Sequence, residues 1–493
     1  LVLAVAVGLL LFRVAVLAPY WVAVISYPFQ IDDTEGVILA ESKLLSQGIN
    51  IYQPVRQDFF TAAPYPPVLY LVNTLAVKWL GPTFKVGRVL SLLAGLGIAF
   101  VLWRIVWILS DQAAASFLAP AVFLSNPIVA VWMVRLRPDM AGILLCTVGM
   151  ALIVWGSMQD GAYGRGGLRY LIGPVAAKLP GALTVAALVM AVGFYIKHTL
   201  VAAPLAVFLW LVIGKPQQAF NFLAVYVAAV TVPYVALDIL TNGGFSQHLI
   251  SFHSNWSSAR ALNFWGDVLN YFWPLLPIAV LGGLVASFGQ TSSLISIYSL
   301  ITVATASMVG TEGGNHNHFL EFSMALALTS SFGLTKLLSS ERTFVCVLAL
   351  AGSILVTYYA FIAIAPPNWL IRELRVPSES EREGWINITQ YVTNFRGEVF
   401  SDNVGLLVLA GKPLRYTDPF TMAMAYRNGQ WSDAALVEEL RNAKFGLVVL
   451  RQDLTKADTP AGDLTPGVFQ AIKEHYRIVE RNVEFIYAPY PEE

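Results

Sequence analysis

SYPFQIDDTEGVILAESKLLSQGINIYQPVRQDFFTAAPYP, residues 26–66, is the polar stretch on which the rest of the chain turns. It places Asp32, Asp33, Glu35 and Glu41 within ten positions, and long apolar segments flank it on both sides. Carboxylates set directly after a spanning helix are costly in hydrocarbon and belong at the water interface. An acidic cluster at that boundary suits chemistry on a substrate with one end in lipid and the other in water.

Of 493 residues, 56% are hydrophobic and only 13% charged, against about 25% charged in soluble domains. The chain therefore reads as a polytopic membrane protein. Its formal net charge is zero, so nothing points to a nucleic-acid partner. Cys146 and Cys346 each lie inside an apolar run, which argues against a disulfide framework or a cysteine zinc site. No A-x-A-like cleavage site follows residues 1–25, so this segment reads as a retained first helix.

Apolar runs long enough to span a bilayer, about 17–25 residues, occur at 1–25, 85–109, 114–134, 140–158, 181–196, 199–214, 217–239, 268–288, 292–310, 319–337 and 343–364. That gives eleven expected spans. Residues 66–80 are short, begin Pro66-Pro67 and carry Lys78, so they read as interfacial rather than spanning. With eleven spans, the loops holding Asp32–Glu35, Arg135 to Asp139, Lys197 and His198, 240–267, and Glu312 to His318 fall on one face. The tail falls there too. The other face carries Arg165, Arg169, Lys178, Lys215, Lys336 and Arg342, and an excess of basic residues in short loops marks the cytoplasmic side. The expected architecture is an all-α polytopic membrane bundle, residues 1–365, with a first outer loop at 26–84. An extracytoplasmic soluble α/β domain is expected at 366–493, because the composition changes after Ala365-Pro366-Pro367. There, helical patterns (378–395, 433–443, 469–476) alternate with strand-like runs (398–402, 445–451, 477–489).

Five groups of residues carry candidate chemistry. In the acidic cluster, a carboxylate at the membrane boundary can accept a proton from a hydroxyl, and Asp33 is the expected base. The alternative for Asp32 and Asp33 is simple helix capping. In Arg135-Leu-Arg137-Pro-Asp139, arginine suits bidentate phosphate binding, and snorkelling anchors are the bland reading. The same two readings apply to Lys197-His198-Thr199. In Glu312-Gly-Gly-Asn315-His316-Asn317-His318, hydrogen bonds to a sugar or diphosphate are expected, and the histidine spacing lacks a zinc signature. No cofactor is required, and a divalent cation is the one candidate the pattern leaves open. The 240–267 loop offers His248, His253, Trp256, Arg260 and Trp265, with aromatic rings for stacking on sugars or for anchoring in the interface. There is no P-loop and no glycine-rich nucleotide fingerprint.

This pattern resembles the GT-C membrane glycosyltransferases, a superfamily that includes protein O-mannosyltransferases and lipid A aminoarabinose transferases. The likeness lies in Asp33 after the first helix and in Leu45-Ser-Gln-Gly48 before Tyr52. Pro66-Pro67 with Tyr70, Leu80-Gly81, Arg88 and Arg137-Pro-Asp139 extend it. The chain departs from the family where an adjacent Asp-Glu becomes Asp33-Thr-Glu35, and where Lys-Pro becomes Tyr65-Pro66. The resemblance implies a polyprenyl-phosphate-linked sugar donor, an envelope acceptor, and an extracytoplasmic site in the inner membrane. It implies catalysis by Asp33, Glu35 and Asp139, with the donor phosphate held by Arg137, Lys197 and Arg260. Substrate contacts would come from Asp32, Tyr65, His198, Glu312, Asn315, His316 and His318. The rival readings are a transporter or lipid flippase, which expects mid-membrane charges and repeat halves, and a non-catalytic envelope scaffold.

Overall fold

A computed structural model describes residues 2–160, 179–252, 255–364, 373–460 and 463–491. Arg165, Arg169, Lys178, His253 and the proline boundary at 365–367 lie outside them.

The bundle begins with α1 (Val2–Ser26), which ends at the acidic loop. There α2 (Asp33–Ser46) starts, with Asp32 as N-cap accepting from Thr34 N at 3.0 Å. A side-chain acceptor here satisfies a helix donor that has no intrahelical partner. Next comes α3 (Pro67–Leu80), begun by a proline at its first position and stopped by Gly81 at φ 78°. It packs on α2 and leaves Leu71, Leu75 and Trp79 exposed along one side, the pattern of a helix lying in the membrane interface.

The remaining bundle helices are α4 (Lys85–Ser110), α5 (Leu118–Ser125), α6 (Pro127–Trp132), α7 (Asp139–Asp160), α8 (Leu179–Ile196), α9 (Ala202–Gly214) and α10 (Pro216–Leu240). They continue with α11 (Ser258–Phe272), α12 (Leu276–Ser287), α13 (Ser293–Ala306), α14 (Leu320–Leu338) and α15 (Thr343–Ile364). Among the described residues, six helices are individually long and apolar enough to cross a membrane, and a seventh crossing arises if one bent pair counts as one. This is an integral membrane protein, but eleven uniform spans are not what the helices form. The expected span 114–134 breaks at Asn126-Pro127, where Asn126 caps α6. The expected span 268–288 is instead the α11–α12 pair, bent by 89° at Trp273-Pro274-Leu275, because proline cannot continue a helix.

The central helix is α14, buried along nearly its whole length. Small residues let its neighbours approach: a Cβ on Gly282 of α12 would lie 1.9 Å from Thr329 O. On the outside, Val22, Ile213 and Phe288 are exposed, as a lipid-facing surface requires.

The C-terminal domain is a four-stranded sheet with helices. Strands β1 (Glu398–Ser401), β2 (Phe445–Leu450), β3 (Tyr476–Arg481) and β4 (Phe485–Pro489) lie in the order β1-β2-β4-β3. The β1–β2 pair is parallel, with Phe400 opposite Val448, and the others are antiparallel. The domain opens with α16 (Glu379–Asn394), which carries a Ser378–Glu381 capping box. The β1–β2 crossover holds α17 (Val404–Leu409), α18 (Pro419–Arg427) and α19 (Ala434–Arg441), and α20 (Pro466–His475) precedes β3. The domain docks on the first outer loop by laying α17 against α2. A Cβ on Gly36 would fall 1.9 Å from Gln30 Oε1 and 2.8 Å from Gly405 N, so only glycine allows this approach.

Candidate active site

Two carboxylates define the site, each at the start of a helix, where the helix dipole favours negative charge. Asp32 caps α2 and receives a two-pronged grip from Arg137, whose Nε reaches Oδ1 and whose Nη2 reaches Oδ2, both at 2.9 Å. The same Nη2 donates to Thr34 Oγ1 at 2.8 Å. Asp139, first residue of α7, is buried and accepts from Lys197 Nζ and from Asn317 Nδ2, the latter at 2.9 Å. Its Oδ2 is buried and has no hydrogen-bond partner among the described residues. Burial pushes the nearby Tyr65 phenol well above its usual range, with Arg137 opposing and Asp139 and Asp32 adding to the shift. Lys197, Thr199, Thr305, Asn317, His318 and Glu321 line a small cavity beside Asp139, with Ile143, Leu200 and Met308 as apolar walls. The residues come from the first outer loop, the α6–α7 turn, the end of α8 and the start of α14, all on one face of the bundle.

A sealed ion pair positions this constellation. Glu35 and Arg88 are completely buried and meet at 2.6 and 2.8 Å. Glu35 also accepts from Leu136 N at 2.8 Å and from Ile31 N at 3.1 Å. Arg88 donates to Val24 O, Tyr27 O and Phe29 O at 2.6–2.9 Å. One arginine thus ties the end of α1 and the start of α2 to the turn that carries Arg137. Burial pushes the Glu35 carboxyl up, but the charge and hydrogen bonds of Arg88 outweigh this and hold it down at about 2. The expected catalytic role for Glu35 does not fit. Its oxygens are buried and fully engaged by Arg88, Leu136 N and Ile31 N, the arrangement of a positioning group.

Asp33 makes a different contact. Its side chain is 64% exposed and meets Arg451 of the C-terminal domain at 2.5 Å. Arg451 also binds Asp463 at 2.6 Å and Asp402. Arg260 donates to Gly310 O at 3.1 Å and has no bond to either site carboxylate among the described residues. Glu312 is engaged by Arg427 at 2.5 Å. Asn315 caps the turn by accepting from His316 N at 2.7 Å.

His316 stands edge-on to Phe264, and burial lowers it to about 4. His318 lines the cavity, and burial together with Lys197 lowers it to about 3, so it is neutral at pH 7. His198 follows Lys197 directly. His248 accepts from Ala63 N at 3.0 Å and meets Gln53 O at 2.9 Å, which fixes the loop leading to Tyr65. Trp256 donates to Ser307 O and Trp265 to Ser307 Oγ, both at 3.0 Å. No group of three or more His, Cys, Asp or Glu among the described residues is arranged to hold a metal. Sequence reasoning gave no role to Arg451, a lone arginine after a strand, which carries no signal until the fold sets it against Asp33.

No protein-family model matches the sequence, and no curated protein does. Solved structures do match. ArnT from Cupriavidus metallidurans in the apo state aligns with TM-score 0.65 at 12% identity, covering 98% of this chain and 99% of that one. The same protein bound to undecaprenyl phosphate aligns with TM-score 0.64 at 15% identity over the same shares. An oligosaccharyltransferase from Archaeoglobus fulgidus, complexed with zinc and sulfate, aligns with TM-score 0.55 at 10% identity, covering 95% of this chain and 71% of that one. The chain therefore shares its overall fold with ArnT.

Proposed function

We propose that this protein transfers a sugar from a polyprenyl-phosphate donor to an envelope acceptor, at a site on the extracytoplasmic side of the inner membrane. The observation that carries this reading is the pairing of Asp32 with Arg137 and of Asp139 with Lys197, on the two sides of the Arg137–Asp139 turn. A full-length structural match binds undecaprenyl phosphate, which supports the same donor class here.

The chemistry follows from the charges. Two carboxylates are balanced by two cations that suit phosphate. The donor phosphate draws Arg137 and Lys197 towards itself, and Asp32 loses its partner and becomes a better base. Asp32 is favoured over Asp33 because it faces Arg137, whereas Asp33 is held by the C-terminal domain. Asp32 is also 19% exposed at its side chain, while Asp139 is sealed at 1%. The acceptor hydroxyl attacks the anomeric carbon, its proton passes to Asp32, and the carbon–oxygen bond to phosphate breaks. The leaving group is stabilised by the two cations drawn to it rather than by an acid. A single displacement by the acceptor oxygen inverts the anomeric carbon, with Asp139 engaged by Lys197 and Asn317 rather than acting as nucleophile. Asp139 holds Lys197 and Asn317 in place.

The test is to reconstitute the protein in nanodiscs with a panel of polyprenyl-phosphate sugars and envelope acceptors, and to measure acceptor-dependent release of polyprenyl phosphate. Release that depends on Asp32 supports the reading, and no consumption of any donor with any acceptor overturns it.

A further inference from the structure

Arg13 is the one charged residue of α1, and helical spacing sets which way it faces. It lies in line with Ala6, Leu10 and Leu17 on the buried side of a helix that packs mainly on α5 and α15, whereas Leu11, Phe12 and Val16 beside it are exposed towards lipid. Arg13 itself is 6% exposed, and its Nε and Nη2 are buried without a hydrogen-bond partner. The other buried cations among the described residues each meet a carboxylate: Arg88 meets Glu35, Arg135 meets Glu373 and Lys197 meets Asp139. No carboxylate meets Arg13 among the described residues. Charge within a spanning helix is expensive and points to a site, and a buried charge without a counter-ion is strongly destabilising.

Two more polar groups in this part of the bundle are unpaired. Tyr359 is wholly buried on α15, and Tyr271, at the end of α11, meets it edge-on with ring centroids 6.0 Å apart. Both hydroxyls are buried with no hydrogen-bond partner among the described residues, and both phenols lie within reach of the Arg13 charge. Two residues after Tyr271 comes the bend at Trp273-Pro274-Leu275. Non-helical backbone at membrane depth is tolerated where protein buries it or where it lines a cavity. Trp273 is exposed there and touches Tyr358 with ring centroids 5.5 Å apart, so the junction of α1, α11 and α15 reaches the lipid-facing surface.

We propose that Arg13, with the hydroxyls of Tyr271 and Tyr359, holds the phosphate of a membrane lipid in this junction. The counter-charge comes from outside the chain, and the medium around the junction is bilayer, so the anion is one that a lipid carries. Nε and Nη2 form one edge of the guanidinium, the edge with which Arg137 grips Asp32, and such an edge suits two parallel bonds to phosphate oxygens. The site is separate from the one around Asp32, because Arg13 lies about 20 Å along α1 from Ser26. The proposal does not rest on the glycosyl-transfer reading.

Native mass spectrometry of the delipidated full chain in detergent tests it, with undecaprenyl phosphate, phosphatidylglycerol, diacylglycerol and inorganic phosphate added separately. At least one of the two phosphate lipids is expected to bind Arg13→Met about tenfold or more weakly than the wild type, the loss of a charged hydrogen-bonding group. Whichever of them shows that loss names the source. Arg13→Met removes an uncompensated buried charge and is expected to melt no lower than the wild type. Arg137→Lys is expected to keep the Arg13-dependent component, which sets it apart from binding at Asp32. The double variant Tyr271→Phe with Tyr359→Phe keeps charge and packing and is expected to weaken the same lipid about threefold or more. The proposal is overturned if both lipids bind Arg13→Met, or the double variant, as tightly as the wild type. Diacylglycerol or inorganic phosphate binding as tightly as the phosphate lipids overturns it as well.

Discussion

Replacing Glu35 by Gln separates a positioning role from a catalytic one. The change leaves Arg88, completely buried, with its carbonyl partners but no counter-charge. Removing one member of a buried pair costs about 3–5 kcal/mol. A second route gives a similar figure. A carboxyl held at about 2 in the folded protein, against about 4.3 in an unfolded chain, corresponds to about 3 kcal/mol. The sign follows from the lowered value: the contribution is fully present above about pH 4.3 and is lost as pH falls towards 2. Glu35→Gln is therefore expected to melt several degrees below the wild type at pH 7 in detergent, with the difference shrinking at pH 3–4. The paired change Glu35→Leu with Arg88→Met should recover most of that stability, a coupling that a double-mutant cycle reads directly. Surviving folded Glu35→Gln should keep measurable turnover. A variant with wild-type melting but no turnover would refute the argument and restore Glu35 to the chemistry.

Asp32→Asn is expected to lower turnover by about a thousandfold or more, within the range for loss of a general base, with donor binding retained. Asp33→Asn should lose less than about threefold. Arg137→Lys keeps the charge but loses the two-pronged grip, and should raise the donor KM about tenfold with a smaller change in kcat. Burial lifts Glu41 to about 8, so the folded state keeps its proton at pH 7 and wild-type stability falls as pH rises from about 4.3 through 8. Glu41→Gln should then melt like the wild type at pH 5 and higher at pH 9, and a thermal scan across pH reads this.

Sequence alone settled what depends on local composition. Apolar run length and the scarcity of charge gave the membrane bundle, and the polar loops between runs gave the shared face. The strand-like runs at 398–402 and 445–451 became β1 and β2. The short helices α17 and α18 went unread because neither is long enough to show a period. Only the tertiary structure could choose between Asp32 and Asp33. Asp32 is the extended N-cap and Asp33 the first helical residue, so one faces Arg137 and the other Arg451, and which one does depends on how α2 is set against its neighbours. That setting is fixed by the Glu35–Arg88 pair and the Gly36–Gly405 contact, whose members lie 53 and 369 positions apart in the chain. Separations of that size leave no trace in any local pattern.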